Sequence, residues 1–206
     1  VHTSEEIRNE GLEASKSIQN YMTELSLNED LYNTVVAYAA NEEAKGLKDF
    51  SKKFLDDLLL DYKRIGFTLP KDKREKVKTI LDRLTDLGLE FDKNIRSAQD
   101  TLFLDELDLA GLPANYKKER LQNNGKYAID MTYPSYVPFM DQAESDKARK
   151  ALRFKFNNRA VEKNIEVLND ILRNRMNLVN LLGYSSYAEY RTEYRMAKKP
   201  KNVWDF

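Results

Sequence analysis

One rod constrains this chain more than any other feature. Val77, Ile80, Leu84, Leu87, Phe91, Ile95 and Ala98 recur at steps of three and four, the spacing that puts apolar side chains on one stripe of an α-helix and that a strand cannot use. Pro70 stands just ahead of the rod, where its missing N–H costs nothing and its fixed φ favours a helix start. The spacing therefore predicts a long helix opening at Pro70. Such a seam serves either a coiled coil or the central rod of a bundle, and the flanking positions show no consistent pairing code, so the bundle rod is the expectation. Gly88 inside it either weakens the helix by about 1 kcal/mol relative to Ala or admits a neighbouring backbone.

The rest reads mostly at the same period. Thr3 and Glu6 stand at capping-box spacing, and Ile7, Ala14, Ile18, Tyr21, Met22 and Leu25 follow on one helical face that should be buried. Asn28 is placed to cap a second helix through Ala40, with Leu31, Val35 and Tyr38 on a stripe, and the two should pack as a hairpin. A third helix is expected from Glu42 to Ile65, carrying Leu47, Phe50, Phe54, Leu58, Tyr62 and Ile65, with Gly66 ending it and Phe67 placed for the hydrophobic contact of a Schellman motif.

From Thr101 to Met140 the pattern breaks. Asn115 to Leu121 suits a short helix that Asn123-Asn124-Gly125 terminates. Tyr127, Ile129, Met131 and Tyr133 then alternate at period two, the one clear strand signal. Its partner is either the apolar segment Leu102 to Leu104 or something outside the chain. The prolines at 134 and 138 bias the residues before them away from helix, so an extended connector is expected after the strand. Ser145 can cap a helix to about Ala160 with Ala148, Leu152 and Phe156 in register. Another should run from Val161 to Leu182 with Ile165, Leu168, Leu172, Met176 and Val179, closed by Gly183. Ser186 with Glu189 forms a further capping box ahead of Tyr187, Tyr190 and Tyr194, and Asn202 resembles an N-cap for Val203 to Phe206. The fold class is mainly α: a multi-helix bundle with one short strand or hairpin around residues 101–133. A single helical lobe is expected over 1–206, with long-helix hairpins in 1–100, an irregular connector in 101–140 and helices in 141–206.

Chemistry-bearing residues are few. The sequence has no cysteine and a single histidine, His2, which leaves no thiolate nucleophile, no disulfide, no histidine-based triad and no His-Glu-x-x-His zinc motif. No Gly-x-Gly occurs, and a phosphate loop ending at Gly125-Lys126 would need glycine where Arg120 stands. The carboxylates at Asp56, Asp57 and Asp61, and at Glu42 and Glu43, suit acid–base work or a divalent cation, but equally the wet face of an amphipathic helix. Lys71, Lys73, Arg74, Lys76 and Lys78 form a basic run without interleaved aromatics, diluted by Asp72 and Glu75. With 34 basic and 34 acidic side chains in balance, no global field draws nucleic acid to the chain. Tyr184, Tyr187, Tyr190 and Tyr194 suit a ligand groove or plain helix packing. No apolar run reaches the roughly 18 residues needed to span a membrane. No catalytic, cofactor-binding or metal-binding residue is assigned.

Several stretches together carry a resemblance. "YPSYVPFMDQAESDKARKALRFKFNNRA", "NIEVLNDILRNRMNLVNLLGYSSYAEY" and "MAKKPKNVWDF", preceded by "LLLDYKRIGFTLP" and "FDKNIRSAQDTLFLDELDLAGLP", resemble the amino-terminal part of the thimet oligopeptidase family, with a lean toward its fungal saccharolysin branch. The resemblance rests on the order and spacing of these elements over nearly the whole chain. It implies a largely helical fold of two lobes around a deep channel, and a cytosolic or mitochondrial zinc endopeptidase acting on short peptides, its metal held by His-Glu-x-x-His and a downstream glutamate. None of those residues has a counterpart here. The resemblance thus implies that zinc, peptide substrates and a catalytic domain belong to a parent enzyme, with this chain a truncated, inactive part of its channel wall that could self-associate alone. The competing expectation is a helical scaffold or a peptide- or protein-binding module with no catalytic half.

Overall fold

The computed structural model describes residues 4–206. About 72% of the chain is helical, with one small antiparallel sheet. The elements in order are α1 (Glu5–Ser26), α2 (Glu29–Ala39), α3 (Glu42–Lys45), α4 (Asp49–Arg64), α5 (Lys71–Ser97), β1 (Thr101–Leu104), a 3₁₀ turn (Glu106–Leu109), α6 (Ala114–Arg120), β2 (Tyr127–Asp130), α7 (Tyr133–Gln142), α8 (Asp146–Asn157), α9 (Val161–Leu182), α10 (Tyr187–Thr192) and α11 (Pro200–Trp204). Thr3, and with it the expected first capping box, lies outside the described residues. The chain divides into two compact units, one made of residues up to 90 together with 167–206, the other of residues 91–166.

In the first unit the rod at α5 begins directly after Pro70, as its spacing requires, and Val77 and Leu87 are fully buried. Gly88 has nothing within 4 Å of where a Cβ would stand, so no backbone approaches it. Asn28 caps α2 by accepting from the Leu31 amide at 2.9 Å. The expected third helix is two. Asn41 caps α3 through the Ala44 amide, and the Gly46 amide closes that helix by donating to the Glu42 and Glu43 carbonyls. α4 then restarts at Asp49, whose φ of 48° lies in the left-handed region that an aspartate tolerates better than most residues. At its far end Phe67 N–H donates to the Tyr62 carbonyl and Gly66 N–H to the Lys63 carbonyl, with Gly66 at φ 102°, which completes the Schellman geometry. The buried Phe67 ring stacks on Tyr32 at 4.3 Å between centroids and meets Tyr62 edge-on. That aromatic trio joins α2 to α4.

α1 is tied to α5 by ion pairs, Lys16–Asp86 at 2.8 Å and Lys78–Glu24 at 3.7 Å. None of its residues is buried. The expectation that it buries its apolar face fails: Ile7, Ile18, Tyr21 and Met22 are more than half exposed. α9 and Gly183 fall where the sequence places them, but Ile165, Leu168, Leu172 and Met176 face outward. Of the expected stripe Val179 is buried, and Val167, Ile171 and Leu178 supply the rest of the buried side. The apolar residues of α9 cover two adjacent faces, and the period alone does not say which one packs.

In the second unit β2 finds its partner within the chain: it pairs antiparallel with β1 in the register Thr101↔Asp130 to Leu104↔Tyr127. Ile129 is fully buried, and a core of Leu104, Leu109, Leu112, Tyr116, Tyr127, Met131, Phe139 and Leu152 surrounds it. Ser145 caps α8 through the Ala148 amide. The expected extended connector at 133–140 is instead the helix α7. Pro134 occupies its first turn, where no N–H is needed, and Pro138 lies inside it. An internal proline costs about 3 kcal/mol. Complete burial of Phe139 offsets that cost, and the Thr132 carbonyl accepts from the amides of Ser135 and Tyr136 to close the first turn. Asn202 is not the cap of the last turn either: it sits inside α11 and donates to the Ala197 carbonyl.

Candidate functional site

Two constellations stand out among the described residues, both in the first unit. The first is built on Arg64 in the last turn of α4, which is 4% exposed. A buried guanidinium must be paired and hydrogen-bonded. Its Nη1 donates to the Tyr190 carbonyl at 2.7 Å and to Glu193 Oε2 at 2.9 Å. The rings of Tyr190 and Tyr194 lie 4.2 and 4.8 Å from its Cζ. Tyr184 donates its hydroxyl to the same Glu193 oxygen at 2.6 Å. Burial, followed by that carboxylate, pushes the Tyr184 phenol well above its ordinary range, so it remains a hydrogen-bond donor. Ser186 positions the cluster by capping α10 at the Glu189 amide, while the Glu189 carboxylate reaches Ser185 and not Ser186, a capping box displaced by one residue. Tyr184, Tyr190 and Tyr194 thus gather around an internal ion pair, which favours the helix-packing reading for them. Sequence reasoning missed Arg64, and the only signal for it was a cation one residue inside an apolar helix end.

The second constellation is a cleft of about 700 Å³ between α2 and α4, lined by Val35, Tyr38, Leu47, Phe50, Phe54 and Leu58 among others. Phe50 and Phe54 are 92% and 69% exposed, so the stripe expected to form core is the wall of an open groove. Its size and apolar lining fall in the range of binding sites for small ligands or side chains. The charges beside it neutralise one another: Lys52 pairs with Asp56 and Lys53 with Asp57. Those pairs also account for two of the three singled-out aspartates.

The other sequence candidates do not converge. His2 lies outside the described residues. Glu42 pairs with Lys45 at 2.5 Å, and Glu43 accepts from Tyr38 at 3.4 Å. Within the basic run Arg74 pairs with Glu29 at 3.1 Å and Lys78 with Asp82 at 3.1 Å, so carboxylates engage two of its five cations. Among the described residues no three His, Cys, Asp or Glu side chains gather as a metal would need. With one histidine and no cysteine in the sequence, the donor set here does not fit a zinc ion.

Comparison with known proteins turns on the whole chain. Residues 139–206 match peptidase family M3. The chain is 28% identical over 211 residues to the thimet-like oligopeptidase of Dictyostelium discoideum, covering 99% of this chain and 31% of that protein. It is 29% identical to oligopeptidase A of Salmonella typhimurium and 26% identical to saccharolysin of Saccharomyces cerevisiae, each over 100% of this chain and 33% and 30% of theirs. The likeness is to family M3 oligopeptidases. It runs from end to end, and the expected resemblance stands. The chain spans about a third of the length of the M3 relatives it matches.

Proposed function

We propose that this chain is the helical, non-catalytic portion of a zinc-dependent oligopeptidase that hydrolyses short peptides, and that it forms part of the substrate-channel wall in a two-lobed molecule. The carrying observation is that end-to-end likeness to oligopeptidases is confined to about a third of their length, in a chain whose donor set does not fit zinc. The metal and the chemistry then belong to residues outside these 206, and the contribution of this chain is shape. The compartment we propose is the cytoplasm or the mitochondrion, the latter because a mitochondrial intermediate peptidase of Yarrowia lipolytica is 28% identical over 94% of the chain. No helix among the described residues is long and apolar enough to cross a membrane.

A quenched fluorescent peptide tests this. The full-length polypeptide should cleave it and lose activity to a chelator, while the 206-residue chain should not cleave it. Cleavage by the short chain, or a full reading frame lacking His-Glu-x-x-His, overturns the proposal. The groove between α2 and α4 favours a second reading, a helical peptide- or protein-binding module without a catalytic half. Retained peptide binding alongside an inactive full-length protein would establish it.

A further inference from the structure

Asn124-Gly125 is the only asparagine–glycine step in the sequence, and both residues are exposed. They belong to a three-residue connection between Gln122 and Lys126: Gln122 N–H donates to the Lys126 carbonyl at 2.8 Å, and Gly125 N–H to the Gln122 carbonyl at 3.0 Å. Gly125 takes φ 77°, the left-handed setting that closes such a hairpin with a bulge. Leu121 then bridges Tyr127, so the connection leads directly into β2.

Two features set the Asn124 carboxamide against its own backbone. Asn124 Oδ1 accepts from the Lys126 amide at 3.0 Å. This is an Asx turn, whose hydrogen-bonded ring includes the Gly125 nitrogen and keeps the carboxamide carbon folded back toward it. The same N–H points at the oxygen on which negative charge develops when that carbon is attacked, as the donor of an oxyanion hole does. The second feature is Gly125 itself. It has no side chain, and nothing lies within 4 Å of where a Cβ would stand, so approach of its nitrogen is unhindered. Asn123 is equally exposed, but the residue after it is Asn124, whose side chain crowds the equivalent attack.

We propose that Asn124 is a site of spontaneous deamidation and isomerisation. Hydroxide takes the Gly125 amide proton as its bond to Gln122 opens. The nitrogen bonds to Asn124 Cγ, the Cγ–Nδ2 bond breaks, and the departing nitrogen takes a proton from water, which leaves ammonia and restores the hydroxide. Water then opens the resulting cyclic imide at either carbonyl. One product is aspartate, whose carboxylate still accepts from the Lys126 amide. The other is isoaspartate, in which the main chain runs through the former side chain and is longer by a methylene. That extra length displaces Gly125 from Gln122, so the isoaspartyl form should lose the bonds that close the turn. β2 itself stays in place, held by its pairing with β1 and by the fully buried Ile129.

The test uses the full-length polypeptide, held folded in mildly alkaline buffer and sampled over time. Trypsin cuts after Arg120 and Lys126 and so releases both asparagines in one peptide, 121–126. Mass spectrometry should show Asn124 converting at least about tenfold faster than Asn123, with isoaspartate, identified by electron-transfer fragmentation, accompanying aspartate. The aspartyl and isoaspartyl forms are then separated by chromatography, and hydrogen exchange is measured on each. The Gln122 and Gly125 amides should exchange faster in the isoaspartyl form alone, while β2 keeps its protection. Equal conversion at Asn123 and Asn124 overturns the proposal. Conversion to aspartate alone also overturns it, because direct hydrolysis of the amide gives no isoaspartate. Unchanged exchange at Gln122 in the isoaspartyl form overturns the opening of the turn.

Discussion

At the scale of the residue, the polar groups taken out of water are the most consequential. Tyr116 is 6% exposed and donates to the Ser135 carbonyl at 2.6 Å. Burial pushes its phenol up to about 12, against about 10 in an unfolded chain. A raised folded value means the native state holds this proton more tightly than the unfolded one, so the contribution is complete below about pH 10 and is lost as pH climbs toward 12. Tyr116→Phe should cost about 1 kcal/mol at neutral pH and flatten the fall in stability between pH 10 and 12, measured by urea denaturation at stepped pH. Arg64 makes a harsher case. Glu193→Ala leaves a buried cation short of its carboxylate and should cost about 2 kcal/mol, whereas Arg64→Met with Glu193→Gln, which removes both charges, should cost less than Glu193→Ala alone. Thermal melts of the variants decide the order; a worse double variant would show that the pair contributes more than it costs.

At the scale of the element, most caps and periods were legible and packing was not. Asn28, Ser145 and Ser186 were read correctly as N-caps because a short side chain bonding to an amide three residues on is a local event. α7 was misread because the bias against helix before Pro134 and Pro138 is local too, while the burial of Phe139 that overrides it is not. The same division explains Phe50 and Phe54, whose period is that of a core stripe and whose exposure depends on what lies opposite. Two glycines put the contrast to a test. Gly88→Ala, in a helix interior with open space around it, should stabilise by about 1 kcal/mol. Gly111→Ala, at φ 86° with its Cβ only 2.2 Å from the Gln142 carbonyl oxygen, should destabilise by more than 2 kcal/mol. Chemical denaturation of the two variants should move their midpoints in opposite directions.

At the scale of the whole molecule, the candidate cleft was not legible as a site, since its apolar lining also suits a core. The exposed apolar residues of α1, α4 and α9 make concentration-dependent association of the isolated 206-residue chain an expected behaviour. Sedimentation should show it, and a clean monomer at high concentration would count against the large unpartnered surface. The β1–β2 ladder has a consequence of another kind. Helices form locally and fast, but Leu104 and Tyr127 meet only after a loop of roughly twenty residues closes, at an entropic cost of about 2.7 kcal/mol. The pace at which residues 91–166 fold should therefore follow this closure more than any single helix, and the stretch that must close is itself part of the core, since it carries Leu109, Leu112 and Tyr116.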